Sequence, residues 1–247
     1  MSSPWTVDVL LVGTGYSSTC TLVSNDRHRV VIDTGLSIHE EMLVASLARR
    51  GVSPTDVDIV INTHLHVDHC GNNATFPRAT IFASRAEWDW THAFYGALFA
   101  SRTPERVAPE FYPEVESYGL STRTVRNVVR MARLFWRPER LGNPAHVHWL
   151  ETSALPADLD VLPTPGHTPH HVSILVGAAE PIVIAGDAVL AEDADAKVKT
   201  MIPFSRTQFL ATRQALLDRG CTIVPGHGPT FLPGRTGAAP HAREGQG

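Results

Sequence analysis

The chain has 247 residues, 43% of them apolar and 19% charged, with a formal net charge of −4. That length and balance describe a globular chain able to bury a sizeable core, and they exclude a disordered polymer and a strongly basic nucleic-acid or anionic-membrane binder. Thirteen histidines are the outlying count, and neutral imidazole is both a common metal ligand and a ready proton carrier.

Cys20, Cys70 and Cys221 are scattered and form no CxxC pair, so neither a disulfide framework nor a thiolate zinc site is expected. No basic segment followed by an apolar run opens the sequence, and no eighteen apolar residues run together. The expectation is a chain without signal peptide or membrane span, working in a reducing cytoplasm.

Val7–Val12 reads as a strand ending at Gly13-Thr14-Gly15, and Cys20–Ser24 with Arg29–Ile32 reads as a hairpin turning at Asn25–His28. A helix follows over Ile38–Arg50, with Leu43 and Leu47 four apart and Gly51 after its basic last turn. Asp58–Thr63 is a β-branched run suited to a buried strand. Residues 84–150 change character and read as a helical insertion. It carries the aromatics Trp88, Trp90, Phe94, Tyr95 and Phe99, then a helix over about 121–137 with Val125, Val128, Val129, Ala132, Phe135 and Trp136 on one face. Arg123, Arg126, Arg130, Arg133 and Arg137 line an adjacent face, which reads as solvated. Strands return at Asp160–Leu162, Val172–Val176, Ile182–Ala185 and Thr222–Val224, with a helix over Arg206–Arg219. Residues 1–233 are expected to form one domain, and the Gly-, Pro- and Ala-rich tail 234–247 to fray.

The segment His64-Leu65-His66-Val67-Asp68-His69 begins where the Asp58–Thr63 strand ends. In an extended segment His64 and His66 point the same way and can share one ion, while Asp68 and His69 in the following turn can face a second. Four ligand-type residues in six positions would make a costly core without such a partner. Three later strand ends carry one ligand-type residue each beside a glycine: Thr164-Pro165-Gly166-His167, Ala185-Gly186-Asp187 and Pro225-Gly226-His227. Glycine permits a tight turn or a close approach to an ion. Together they complete a two-metal set.

These motifs, HxHxDH at 64–69 followed in order by His167, Asp187 and His227, resemble those of the metallo-β-lactamase superfamily. The resemblance covers residues 5–83 and 158–232. It implies an α/β fold, an αββα sandwich of two mixed β-sheets flanked by helices, with a helical insertion. It also implies that His64, His66 and His167 hold metal one, that Asp68, His69 and His227 hold metal two, and that Asp187 bridges. Asp33, in Val31-Ile32-Asp33-Thr34-Gly35, matches a position that braces the ligand loops by hydrogen bonds. The intact Asp187 departs from dedicated β-lactamases, and Ala188-Val189-Leu190 replaces the tyrosine that acyl-homoserine lactonases carry there. His170 and His171 are each candidates to line the pocket, with a structural hydrogen bond the preferred role for His171. Glu87 reads as solvated, and Cys70 as a small buried thiol.

The expected activity is binuclear hydrolysis of an ester, lactone or thioester carbonyl of a small-molecule substrate, through a metal-bridging hydroxide. Asp68 would orient the nucleophile and carry its proton to the leaving group. Phosphodiester cleavage of DNA or RNA is the alternative, with β-lactam hydrolysis behind it. An all-His/Asp set suits two divalent ions, Zn²⁺ first, with Fe, Mn or Co acceptable. The apolar insertion is compatible with a homodimer, and no membrane partner is expected.

Overall fold

Val30, Val31 and Ile32 lie on successive positions of one strand, and all are fully buried. Side chains alternate across a strand, so Val30 and Ile32 must meet one layer and Val31 another. That pattern requires a sheet covered on both faces. The computed structural model, which describes residues 3–177, 180–192 and 203–234, shows this arrangement.

Among the described residues the strands form two mixed sheets. The first runs in the order β1 (Thr6–Leu11), β2 (Cys20–Ser24), β3 (Arg29–Ile32), β4 (Ile59–Ile61), β5 (Thr80–Ala83) and β6 (Val147–Trp149). Its first two pairings are antiparallel and the other three parallel. The second runs β10 (Thr222–Pro225), β9 (Ile182–Gly186), β8 (Val172–Val176) and β7 (Leu159–Pro163), with β10 and β9 parallel and the rest antiparallel.

Val30, Ile32, Ile59, Ile61 and Phe82 of the first sheet meet Leu159, Ile174, Val176, Ile184 and Val224 of the second in one apolar layer. On the far face of the first sheet Val31, Val60 and Ile81 pack with Leu43 and Leu47 of α1 (Glu40–Ala48). On the far face of the second, Val183, Ala185 and Ile223 pack with Leu216 of α6 (Arg206–Leu217). The expected αββα sandwich is the observed fold.

Between β5 and β6 the chain forms α3 (Arg85–Ala100), α4 (Ala108–Phe111) and α5 (Thr122–Phe135), following the one-turn α2 (Val67–Cys70). Ser84 and Ser121 cap α3 and α5 by accepting from the amides of Glu87 and Thr124. A fourth core joins Phe94, Tyr95, Leu98, Tyr112, Val129 and Trp136, with Tyr95 stacked on Trp136 at 3.9 Å.

Several details differ from the sequence reading. Residues 147–149, assigned there to the insertion, form the edge strand β6, and β5 was not singled out. His148 of β6 is exposed at the sheet edge, and neither strand continues into flanking β-branched residues as the equally short β4 does. Val128, expected on the buried face of α5, is 39% exposed, because α3 covers only the stripe around Val129. The hairpin at Asn25–His28 forms as read, with Asn25 Oδ1 accepting from the Arg27 and His28 amides. Of the tail expected to fray, residues 235–247 lie outside the described residues. No described helix is long and apolar enough to cross a membrane.

Candidate metal centre

Strands β3, β4, β9 and β10 run so that their carboxyl ends share one edge of the sandwich, and the chain leaves each of them carrying a polar residue: Asp33, His64, Asp187 and His227. The β7–β8 turn reaches the same edge with His167. Past β4 the chain bends at Thr63 and His64 and is extended at His66, so that both imidazoles meet His167 and Asp187, while Leu65 between them is fully buried in the core of the insertion. Helix α2 then starts at Val67 and puts Asp68 and His69 on its single turn. It stops at Gly71, where a Cβ would run into the Val67 and Gly35 carbonyls and the Ser37 amide.

The β7–β8 loop is held from outside. Phe204 N donates to His167 O at 2.9 Å, Ser205 N to Gly166 O at 2.9 Å, and Thr212 Oγ1 to Pro165 O at 2.7 Å. Gly166, at φ 136°, leaves room for the backbone of Phe209 at the start of α6. Gly226 does the same for Asp187, whose Oδ1 would collide with a Cβ there.

Seven side chains meet at this edge in two groups. His64, His66, His167 and Asp187 form one, and Asp68, His69 and His227 the other, with the ligand atoms of each group within 4.8 Å of one another. Asp187 lies between them: Oδ1 is 3.2 Å from His69 Nε2 and 3.3 Å from His227 Nε2, and Oδ2 is 3.2 Å from His167 Nε2. Asp68 Oδ2 is 3.7 Å from His69 Nε2 and 3.5 Å from His227 Nε2. These separations are short, yet His64 Nε2, His69 Nε2 and both Asp187 oxygens are buried without a hydrogen bond of normal geometry. Buried polar atoms left so are expensive. Lone pairs that converge without pairing fit divalent cations, and a nitrogen- and oxygen-only donor set fits zinc and its neighbours.

Electrostatics divide the two groups. Burial pulls His64 and His167 well below the usual histidine range and His66 down to about 4. Burial acts against protonation of His69 too, but the Asp187, Asp33 and Asp68 carboxylates outweigh it and hold that imidazole well above its ordinary value. His227 is raised as well, with burial opposed by Asp187 and Asp68. Asp187 is fully buried, yet His227, His69 and His167 hold it charged.

The outer contacts fix the ring orientations. Asp33 Oδ2 accepts from His69 Nδ1 at 2.7 Å and from Thr63 Oγ1 at 2.8 Å, and its Oδ1 accepts from Thr63 N at 2.9 Å. The bracing contact expected of Asp33 is present. His171 is buried and accepts from the Asp187 amide at Nε2, 3.1 Å away. Its Nδ1 must therefore carry the proton and donate to Thr164 Oγ1 at 2.8 Å. Thr164 then donates to Ser173 Oγ at 2.9 Å, which donates to the Ala185 carbonyl. His171 has the structural bond preferred for it, whereas His170 is exposed.

Two residues here eluded the sequence. Tyr112, after α4, places its hydroxyl 2.7 Å from His66 Nε2, which leaves His66 Nδ1 facing His167 Nε2 at 2.9 Å. No local motif marks it. Glu87, read as solvated, is 1% exposed and accepts from Thr168 Oγ1 at 2.8 Å. Of the aromatic run, Phe94 and Tyr95 are core, Phe99 is exposed, and Trp90 packs at the edge against Tyr112 and Phe204. Cys70 is a buried thiol, as read, with Sγ 3.2 Å from the His66 carbonyl.

Known proteins resemble this chain in sequence and in fold. Metallo-beta-lactamase domain-containing protein 1 of Homo sapiens is 29% identical over 222 residues, 89% of this chain and 65% of that protein. A metallo-hydrolase of Methanocaldococcus jannaschii is 40% identical over 65 residues, 26% of this chain and 32% of its own. The chain thus spans less than two thirds of the length of either relative. A solved structure described as a metallo-beta-lactamase of Thermotoga maritima superposes with a TM-score of 0.63 at 20% identity, over 94% of this chain and all of that one. AidC, a dizinc quorum-quenching lactonase, superposes at 0.58 and 18% identity, covering 85% of this chain and 72% of its own. The family model of the metallo-beta-lactamase superfamily matches residues 13–227, and the chain belongs to that superfamily.

Proposed function

We propose that this protein is a binuclear metal-dependent hydrolase that opens an ester, lactone or thioester bond of a small molecule. One observation carries the reading: seven ligand-type side chains converge in two adjoining groups with Asp187 between them. His64, His66 and His167 would hold metal one, Asp68, His69 and His227 metal two, and Asp187 would bridge. Two such ions, Zn²⁺ in the first instance, supply a water acidic enough to ionise near neutral pH and Lewis acidity for a carbonyl oxygen.

The chain's own residues do the rest. Asp33, Tyr112 and the backbone around His167 fix the imidazoles so that no reorganisation is needed during reaction. Asp68 is less buried than His69, His227 and Asp187. Its carboxylate can accept the nucleophile's proton and return it to the leaving group. Trp90, Phe111, Tyr112 and Phe204 gather beside His66, which favours a substrate with an apolar portion.

A carbonyl substrate gains support from relatives described as N-acyl homoserine lactonases, one 28% identical over 93 residues. The phosphodiester alternative would draw on the arginines of α5 for its phosphate contacts, and two of these are engaged locally: Arg126 pairs with Glu105 at 3.2 Å and Arg133 lies over the Phe99 ring. The test is a panel of lactones, aryl esters, thioesters, a cephalosporin and bis-p-nitrophenyl phosphate, offered to protein reconstituted with Zn²⁺, Mn²⁺, Fe²⁺ or Co²⁺. Turnover of carbonyl esters that is lost in His64→Ala is expected. Turnover confined to the phosphodiester would overturn the reading.

A further inference from the structure

Glu87 belongs to neither ligand group, yet it is among the most buried carboxylates in the described residues. It stands on the first turn of α3, the helix that opens the insertion, and Ser84 fixes that turn. Its Oε2 accepts from Thr168 Oγ1 at 2.8 Å, one residue beyond His167. The amides of Leu65, which separates His64 from His66, and of His170 also favour its charged form, while burial opposes it and raises the group to about 7. Oε1 is buried without a hydrogen bond of normal geometry.

A carboxylate is an unfavourable choice for this position on packing grounds. Phe94, Tyr95 and Leu98 continue the inner face of the same helix as core, and a buried acid costs more than an apolar residue of its size. What it touches supplies a reason. His64 and His66 follow β4 of the first sheet, whereas His167 lies in the β7–β8 loop of the second. Three imidazoles can share one ion only if these two segments hold a fixed separation. Apart from the His66–His167 contact itself, the Val172 N to Thr63 O bond ties the segments near their bases. Glu87 reaches both from a third body, the insertion.

We propose that Glu87 is a positioning residue for metal one, holding the His64–His66 and His167–Thr168 segments at the separation that lets their imidazoles meet on one ion. The insertion is thereby joined to the metal centre through this carboxylate as well as through the Tyr112 hydroxyl on His66. The proposal rests on the reading that His64, His66 and His167 bind a metal.

The test is titration of metal-free protein with Co²⁺, followed by visible absorption and by metal content, with thermal unfolding measured alongside. Wild type, Glu87→Ala, Glu87→Gln, Thr168→Val and the Glu87→Ala/Thr168→Val double variant are compared. Wild type should bind in two steps, one of which His64→Ala removes. Glu87→Ala and Thr168→Val should each weaken that same step by about 10–100-fold, the usual effect of losing an outer contact to a metal ligand. The other step should stay within a few-fold. The double variant should lose little more than either single one, because both remove the same link. Glu87→Gln, which keeps an acceptor for Thr168, should retain most of the affinity.

Unchanged affinity in both steps for Glu87→Ala would overturn the proposal while leaving the metal reading intact. So would equal weakening of both steps that follows a lowered unfolding temperature. If Glu87→Ala does not fold, an unchanged first step in Thr168→Val overturns it. Absence of any Co²⁺ binding in wild type would overturn the proposal and the metal reading together.

Discussion

Asp33 Oδ2 lies 2.7 Å from His69 Nδ1 while the Asp33 backbone sits at φ 55°, in the left-handed region. Few side chains settle there, but the short polar chain of Asp tolerates it. The turn swings the carboxylate off the end of β3 and onto the Thr63 amide and hydroxyl as well as the imidazole. His69 Nδ1 is thereby fixed as the donor, and Nε2 is left facing Asp68 and Asp187.

Asp33→Asn keeps the backbone preference and one acceptor oxygen but presents an amide to His69 or Thr63. It should fold with a modest loss of unfolding temperature and bind metal two about 10–100-fold more weakly. Asp33→Ala should also lose about 1–3 kcal/mol for each buried donor left unpaired, read from chemical denaturation of the metal-free protein. Wild-type metal affinity in Asp33→Asn would show that the contact does not orient His69.

Tyr112→Phe removes the partner of His66 Nε2 and little else, because the ring is buried among Trp90, Phe94 and Phe111. The expected loss is about 0.5–1.5 kcal/mol in stability. The weaker orientation of His66 should appear as lower affinity for metal one and a fall in kcat/KM. Unaltered metal titration and kinetics together would reduce Tyr112 to a packing residue.

Proton release should distinguish the two metals. His64, His66 and His167 are held below the usual histidine range, His66 at about 4, so at pH 7 they are already neutral in the metal-free protein. His69 and His227 are raised, so a metal arriving between them must displace protons. Affinity for metal two should therefore climb as pH rises toward the folded-state values of those histidines, while affinity for metal one stays nearly flat from about pH 6 to 8. Calorimetry in buffers of different ionisation enthalpy measures this directly. His227→Ala, left with metal one, should release few protons on loading, and His64→Ala, left with metal two, should release more. Equal release from both would contradict the assignment.

Gly226→Ala tests the cradle. A Cβ at Gly226 would collide with Asp187 Oδ1 and crowd Gly186, and neither backbone can retreat because Gly226 N is bonded to Val189 O and Thr19 N to Gly226 O. The Asp187 carboxylate has to move. Loss of at least one bound metal per chain by elemental analysis is expected, with hydrolysis falling in step. A variant that keeps two metals and full activity would show that Asp187 has more freedom than the packing allows.

The candidate ligands were legible because they follow strand ends: Asp187 one residue after β9, His227 two after β10, His64 three after β4 and His167 four after β7. The glycines beside His167, Asp187 and His227 and the β-branched run before His64 are local signals, so these residues could be placed after strands without knowing the fold. The sandwich was implied by the resemblance that these motifs carry, while the strand and helix pattern by itself only permitted it. The short strands β5 and β6 were not legible, since neither is lengthened by flanking β-branched residues as β4 is by Val57 and Thr63.

The sequence by itself determined which side chains can ligate and that they follow strands, and its resemblance to a known superfamily implied the two-sheet sandwich that carries them. Only the tertiary structure decided what orients them. Tyr112 meets His66 across 46 residues and Glu87 meets Thr168 across 81. Contacts at that separation depend on how α3 and α4 pack against the sandwich, and no pattern within a few positions of either partner encodes that packing.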